Sequence, residues 1–177
     1  MTTTQEAPAI VPDFGDEDEE RKLCFICSKG NLDMAYPALI MANGALTEGV
    51  EVDIFFTFWG LDMINKGTWD KLQFSMLGNT AMHMPGSTKH IPQGLGGLPG
   101  MTSYATHMLK KQIADQDVPD VPEFLQMLHD MGARLWACKM SVDMMGLTED
   151  DMFEGVEAII NVNEFIEVSA GSQVIFV

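Results

Sequence analysis

At 177 residues, with 46% hydrophobic and 20% charged residues, the chain suits one domain with a sizeable core. Its formal charge of −16 argues against nucleic acid, because so acidic a chain repels phosphate and lacks a basic footprint. Three cysteines are too few and too odd in number for a disulfide framework. With no leader-like apolar run and no long uncharged apolar stretch, the sequence reads as a cytoplasmic protein with reduced thiols and no membrane span.

Residues 1–20 hold seven acids and no Lys or Arg, with few large apolar groups. Such a segment cannot bury enough surface to fold, and it reads as a disordered acidic tail. The remaining 21–177 stretch reads as a single domain that still carries a charge of −9, which suits a basic protein partner. In it, Leu23–Cys27 is a short apolar run ending at the turn signal Ser28-Lys29-Gly30-Asn31, so it reads as a buried parallel strand. Leu32, Ala35, Leu39, Ala42 and Leu46 recur at helical spacing up to Gly49, with Pro37 as the one discordant residue. Val50–Phe58, rich in β-branched and aromatic residues, predicts a second strand, giving a strand–helix–strand unit. Helical pieces are expected around 61–65 and 69–76.

Residues 78–100 are dense in glycine, carry Pro85, Pro92 and Pro99, and show no periodicity, so they read as a long functional loop. Helices are predicted at 104–114 and 122–131, and strands at 134–138, 156–160 and 172–177. Short helices are predicted at 141–145 and 161–169. Five strands alternating with helices predict a flavodoxin-like, doubly wound, mostly parallel sheet with helices on both faces.

Open sheets of this kind bind ligands beyond the carboxyl ends of their strands, and Cys138 falls at such an end, just before a short helix. Free N–H groups there, with Lys139 adjacent, favour the nucleophilic thiolate, although a free cysteine is also among the most commonly buried residues. Cys24 and Cys27 form a C-x-x-C pair that sits within a strand rather than opening a helix. Positions three apart in a strand point to opposite faces, and no second pair completes a zinc site. Cys24 reads as core. Cys27 lies near a strand's carboxyl end and could approach Cys138 if the first and third strands were neighbours. His83 and His107, in or near the glycine-rich loop, are further candidates to line a site, with Ser28 and Lys29. The methionines are scattered and read as packing rather than as a copper box, no nucleotide-binding loop is present, and neither metal nor cofactor is expected.

Four segments together carry a family likeness: Ile26–Gly30 with Leu32–Pro37, Ile54–Phe58 with Gly60-Leu61, Leu98–Met101, and Ala137–Met140 with Asp143–Gly146. On these the chain resembles the DsrE/DsrF-like sulfur-relay proteins, in particular their longer branch, often labelled peroxiredoxin-like. The resemblance spans roughly residues 22–177 and implies a homo-oligomer, commonly a trimer or hexamer. It also implies a sulfur-accepting cysteine, matched by Cys138, that takes up sulfane sulfur as a persulfide or thiosulfonate. Cys27 matches a cysteine of the longer branch. A small TusA-like sulfur carrier is the implied partner, and the membrane helices of some longer-branch relatives have no counterpart in this sequence. Two other readings of the same thiols stay open: a sulfur-binding scaffold without turnover, and a redox sensor pairing Cys27 with Cys138.

Overall fold

The computed structural model describes residues 21–76, 89–90 and 92–177. The acidic segment 1–20, and His83 with much of the glycine-rich loop, lie outside the described residues. In chain order the elements are β1 (Lys22–Cys27), α1 (Leu32–Thr47), β2 (Glu51–Phe56), a 3-10 turn (Phe58–Met63), α2 (Gln93–Gly96), α3 (Met101–Ala114) and α4 (Val121–Asp130). They continue with β3 (Arg134–Cys138), α5 (Lys139–Met145), a second 3-10 turn (Glu149–Asp151), β4 (Val156–Ile160), α6 (Val162–Val168) and β5 (Gln173–Phe176).

Local chemistry sets these boundaries. In α1 the predicted stripe Leu32, Ala35, Leu39 and Ala42 is buried, and Pro37, inside the helix, lies on its exposed side. Asp120 caps α4, its carboxylate accepting the Glu123 N–H at 3.0 Å, with Pro122 in the first turn where no donor is needed. A reciprocal box between Asn161 and Glu164 starts α6. Two expectations fail. Residues 71–76 run without regular structure instead of continuing a helix, their backbone tied to α1 and α3 by Gln73 and Phe74. The glycine-rich stretch contains the short helix α2.

All five strands are parallel, in the order β4-β3-β2-β1-β5. The chain steps in one direction from β1 to β4, then returns to place β5 against β1. Right-handed crossovers therefore put α1 and α4 on one face and the returning α6 on the other, the doubly wound arrangement expected from the sequence. The α1 face holds the main core, including Phe25, Cys27, Ile54, Phe56, Leu135 and Ala137. The α6 face holds a smaller cluster of Phe55, Cys138 and Ile160, edged by Ile26, Trp136, Phe165 and Val168, with the Phe55 and Phe165 rings stacked at 4.2 Å. Deeper on that face, the fully buried Asp53 carboxylate meets Lys22 at 3.0 Å, Arg134 at 2.9 Å and the Trp136 Nε1–H at 2.8 Å. Lys22 also donates to the Val168 carbonyl, which fastens the end of α6 to the sheet.

Candidate functional site

The site is the carboxyl edge of β3. Phe56 and Ala137 are the last residues paired between β2 and β3, so Thr57 follows beside Cys138, which still pairs with Ile160 of β4. Cys138 is the N-cap residue of α5, with extended backbone at φ −74° and ψ 115°. No conventional side-chain cap bond closes that helix. Burial pushes the Cys138 thiol up, but the Ser141 and Thr57 hydroxyls and the backbone N–H groups of Ser141 and Met140 outweigh it. The pKa settles below the ordinary thiol value of 9.0.

The donors are themselves held. Ser141 is fully buried, and its Oγ accepts the Phe58 N–H at 2.9 Å while lying 3.2 Å from Thr57 Oγ1. Phe58 delivers that N–H from a left-handed backbone, φ 46°, which a bulky aromatic adopts only when its surroundings hold it there. The fixing comes from Gly60. A Cβ at Gly60 would stand 2.0 Å from the Cys27 carbonyl oxygen, so only glycine lets the turn close on the end of β1. The Thr57 N–H donates to the same carbonyl at 2.9 Å.

The three thiols differ sharply. Cys138 keeps 9% of its surface open, against 2% for Cys27 and none for Cys24. Burial raises Cys24 to about 11, the nearby Asp53 adding to it. Burial also raises Cys27 to about 12. Cys27 aligns with Phe56 and Ala137 across the ladder, so its side chain shares their face and Cys138 points to the opposite one. The first and third strands are not neighbours, because β2 lies between them. Two strand spacings of about 4.8 Å and a sheet separate the sulfurs, so the expected approach of Cys27 to Cys138 does not occur.

The other sequence candidates do not gather at Cys138. Ser28 binds the C-terminal strand, its N–H and hydroxyl both donating to the Val177 carbonyl at 3.0 and 3.1 Å. Lys29 is exposed at the end of β1. Lys139 is exposed and engages Asp143, one turn on, at 3.2 Å; the groups that shift the Cys138 thiol do not include it. His107 is exposed on α3, whose Leu109 and Ile113 pack on the α1 side of the sheet, away from the Cys138 face. Among the described residues no three His, Cys, Asp or Glu side chains are placed to hold a metal ion.

Sequence reading missed Thr57, Phe58 and Ser141. The available signal was the spacing C-x-x-S where a strand hands over to a helix, which puts an N3 side chain beside the N-cap residue. Thr57 and Phe58 needed the β2–β3 pairing to be known.

Fold and site together define a parallel α/β protein with a cysteine of depressed pKa at the sheet's carboxyl edge. The DsrE/DsrF/DrsH-like family model matches residues 19–176, and the chain belongs to this family. It is 36% identical over 140 residues to the sulfur carrier protein DsrE2 of Allochromatium vinosum, covering 78% of this chain and 87% of that one. It is 28% identical over 148 residues to the uncharacterized protein YrkE of Bacillus subtilis, covering 79% and 86%. In fold it is similar to the protein of unknown function MTH1491 from Methanobacterium thermoautotrophicum, at TM-score 0.54 and 10% identity, over 89% of this chain and 99% of that one. The ychN protein of E. coli is similar at TM-score 0.50 and 11% identity, with the same coverage.

Proposed function

We propose that this chain is a sulfur-relay protein that accepts sulfane sulfur on Cys138, as a persulfide or thiosulfonate, and hands it to an acceptor thiol. The observation that carries this reading is the depressed thiol of Cys138 at the carboxyl end of β3, a buried residue that still exposes 9% of its surface, set against two more deeply buried thiols whose pKa values are raised. A depressed thiol is anionic at lower pH, and the anion is the attacking form. The sulfur-carrier relative supports the same reading. Against a Cys27–Cys138 redox sensor stand the intervening strand and the opposite faces.

The donor in this reading is a small TusA-like carrier protein, acting in the cytoplasm. The stacked, exposed Phe58 and Trp59 rings, 6.1 Å apart and directly following Thr57, give such a protein an apolar landing beside the thiol. A homo-oligomer, trimer or hexamer, is supported by exposed Val174 and Phe176 on β5 and Val162 and Ile166 on α6. No helix among the described residues is long and apolar enough to cross a membrane.

Intact mass spectrometry after exposure to a protein-bound or small persulfide tests the proposal. The wild type gains the mass of one sulfur, reductant removes it, and Cys138→Ser gains nothing. An equal gain in Cys138→Ser, or none in the wild type, rejects it.

A further inference from the structure

The carboxyl edge of the sheet opens between β3 and β4. The chain leaving β3 packs Val142 and Met145 of α5 on the main core, and the chain leaving β4 packs Phe165 and Val168 of α6 on the opposite face. Open parallel sheets bind their ligands where neighbouring connections part in this way, and the last pair of these two strands is Cys138 with Ile160.

The outer face of α5 starts at this point. Met140 and Met144, one turn apart on it, are 60% and 56% exposed. Lys139 and Asp143 share that face and neutralise each other at 3.2 Å. The turn tied to α5 through the Phe58 N–H and Ser141 Oγ adds the exposed rings of Phe58 and Trp59. A solvated helix face has no need of two unbranched apolar side chains, and methionine is an adaptable contact residue at surfaces that bind other proteins.

Charge narrows the partner. Residues 139–177 hold eight acids against Lys139 alone, a net −7, whereas residues 21–138 hold eleven acids against nine Lys and Arg, a net −2. The acidity of the 21–177 stretch is therefore concentrated in the part that follows the thiol. α5 is seven residues long, about 10 Å, and just beyond its end stand the exposed Glu149 and Asp150. Of the acids in this part, Asp143 and Glu154 are paired, with Lys139 and Lys66, whereas Glu149 and Asp150 face solvent. A second copy of the chain would bring the same negative charge to this face, and a nucleic acid would bring phosphate. A basic protein face is drawn to it.

We propose that the outer face of α5, with Phe58 and Trp59, is the docking surface for the sulfur donor, and that it selects a protein whose thiol is ringed by lysine or arginine and apolar side chains. This rests on the relay reading above. Docking brings the donor's persulfide R–S–SH to Cys138, whose thiolate attacks the outer sulfur. The Cys138 S–S bond forms, the donor's S–S bond breaks and its electron pair leaves with R–S⁻, so sulfur moves with no net oxidation. The carboxylates set the rate of encounter, and the apolar strip sets the lifetime of the complex.

The test follows loading of the full chain by intact mass with three donors: a persulfidated cysteine peptide flanked by lysine and leucine, the same peptide with glutamate for lysine, and glutathione persulfide. The wild type loads from the lysine peptide about tenfold faster than from the glutamate peptide at low salt, and about 0.5 M sodium chloride removes most of that preference. Glu149→Gln with Asp150→Asn reduces the preference about threefold. Met140→Ser with Met144→Ser lowers the rate from the lysine peptide, relative to that from glutathione persulfide, by about three- to tenfold. All four positions are exposed, so the fold is kept. No preference for lysine in the wild type, a preference unchanged in the acid variant, or a rate ratio unchanged in the methionine variant overturns the proposal. If no donor transfers sulfur, the relay reading fails, and the surface is judged by labelling Cys138 with cationic and anionic methanethiosulfonates. Faster reaction of the cationic reagent, by a margin that narrows in the acid variant, sustains an acidic docking face; equal rates overturn it.

Discussion

β1 and β3 both end in cysteine, two strands apart in one parallel sheet, yet the chain treats these ends in opposite ways. At the end of β1 the side chain turns into the main core and the carbonyl is gripped by Thr57 and pressed by Gly60. At the end of β3 the side chain turns to the α6 face, and the same 57–60 turn supplies it with a hydroxyl and a serine locked in place. The same turn thus braces both strand ends, while burial raises one thiol and neighbouring hydroxyl and amide groups lower the other. Strand position alone does not set a thiol's ionisation; the face it points to and the groups that meet it do.

The largest effect that would test this contrast comes from the polar cluster holding α6 over the Cys138 face. Asp53→Ala leaves Lys22 and Arg134 without their buried partner, and urea unfolding should show a loss of about 3–5 kcal/mol. Gly60→Ala comes next. Its Cβ meets backbone rather than a flexible side chain, so the turn must shift, at a loss of about 3 kcal/mol and with slower labelling of Cys138. A Gly60→Ala protein of unchanged stability and reactivity would break the link between the two strand ends.

The two cysteine-to-serine changes then separate the ends directly. Cys27→Ser puts a hydroxyl into an apolar core and should lose about 1–3 kcal/mol while Cys138 stays reactive. Cys138→Ser, beside the Ser141 and Thr57 hydroxyls at the end of β3, should change stability by less than about 1 kcal/mol while abolishing sulfur uptake.

The smallest effect is on the pH dependence of stability. Cys24 and Cys27 stay protonated in the folded chain to about 11 and 12, so between 9.0 and those values the unfolded chain has already lost protons that the folded chain keeps. Stability should fall with rising pH over that window, and Cys27→Ala should reduce the fall. Cys138 has the opposite sign. Its depressed pKa contributes stability that is fully present above 9.0 and is lost as pH falls through the folded value. Urea midpoints across the alkaline range for wild type, Cys27→Ala and Cys138→Ala measure both slopes.

Much of the architecture was legible in the sequence because its signals are local. β3 runs from Arg134 to Cys138 and β4 from Val156 to Ile160, where the apolar runs put them, and Cys138 stands at the strand-to-helix handover. The face of each cysteine was not legible, because strand order and register are tertiary facts. Alternation shows that Cys24 and Cys27 point apart, but it cannot say which of them shares a face with a residue more than a hundred positions away. The donor set stayed hidden for the same reason. Ser141 is three residues from Cys138, but Thr57 and Phe58 reach it only through the β2–β3 pairing. Lys139 and His107 attracted attention by chemistry and proximity in the chain, and neither is turned to the sulfur.

The central claim, that Cys138 alone of the three thiols is held ready as an anion, is tested most directly by labelling the native wild type with iodoacetamide over a pH series and mapping the modified peptides. The account predicts modification confined to Cys138, with a midpoint below 9.0, while Cys24 and Cys27 react only once the chain is unfolded. Labelling of Cys27 in the native protein at a rate matching that of Cys138, or a Cys138 that stays inert until unfolding, would contradict it.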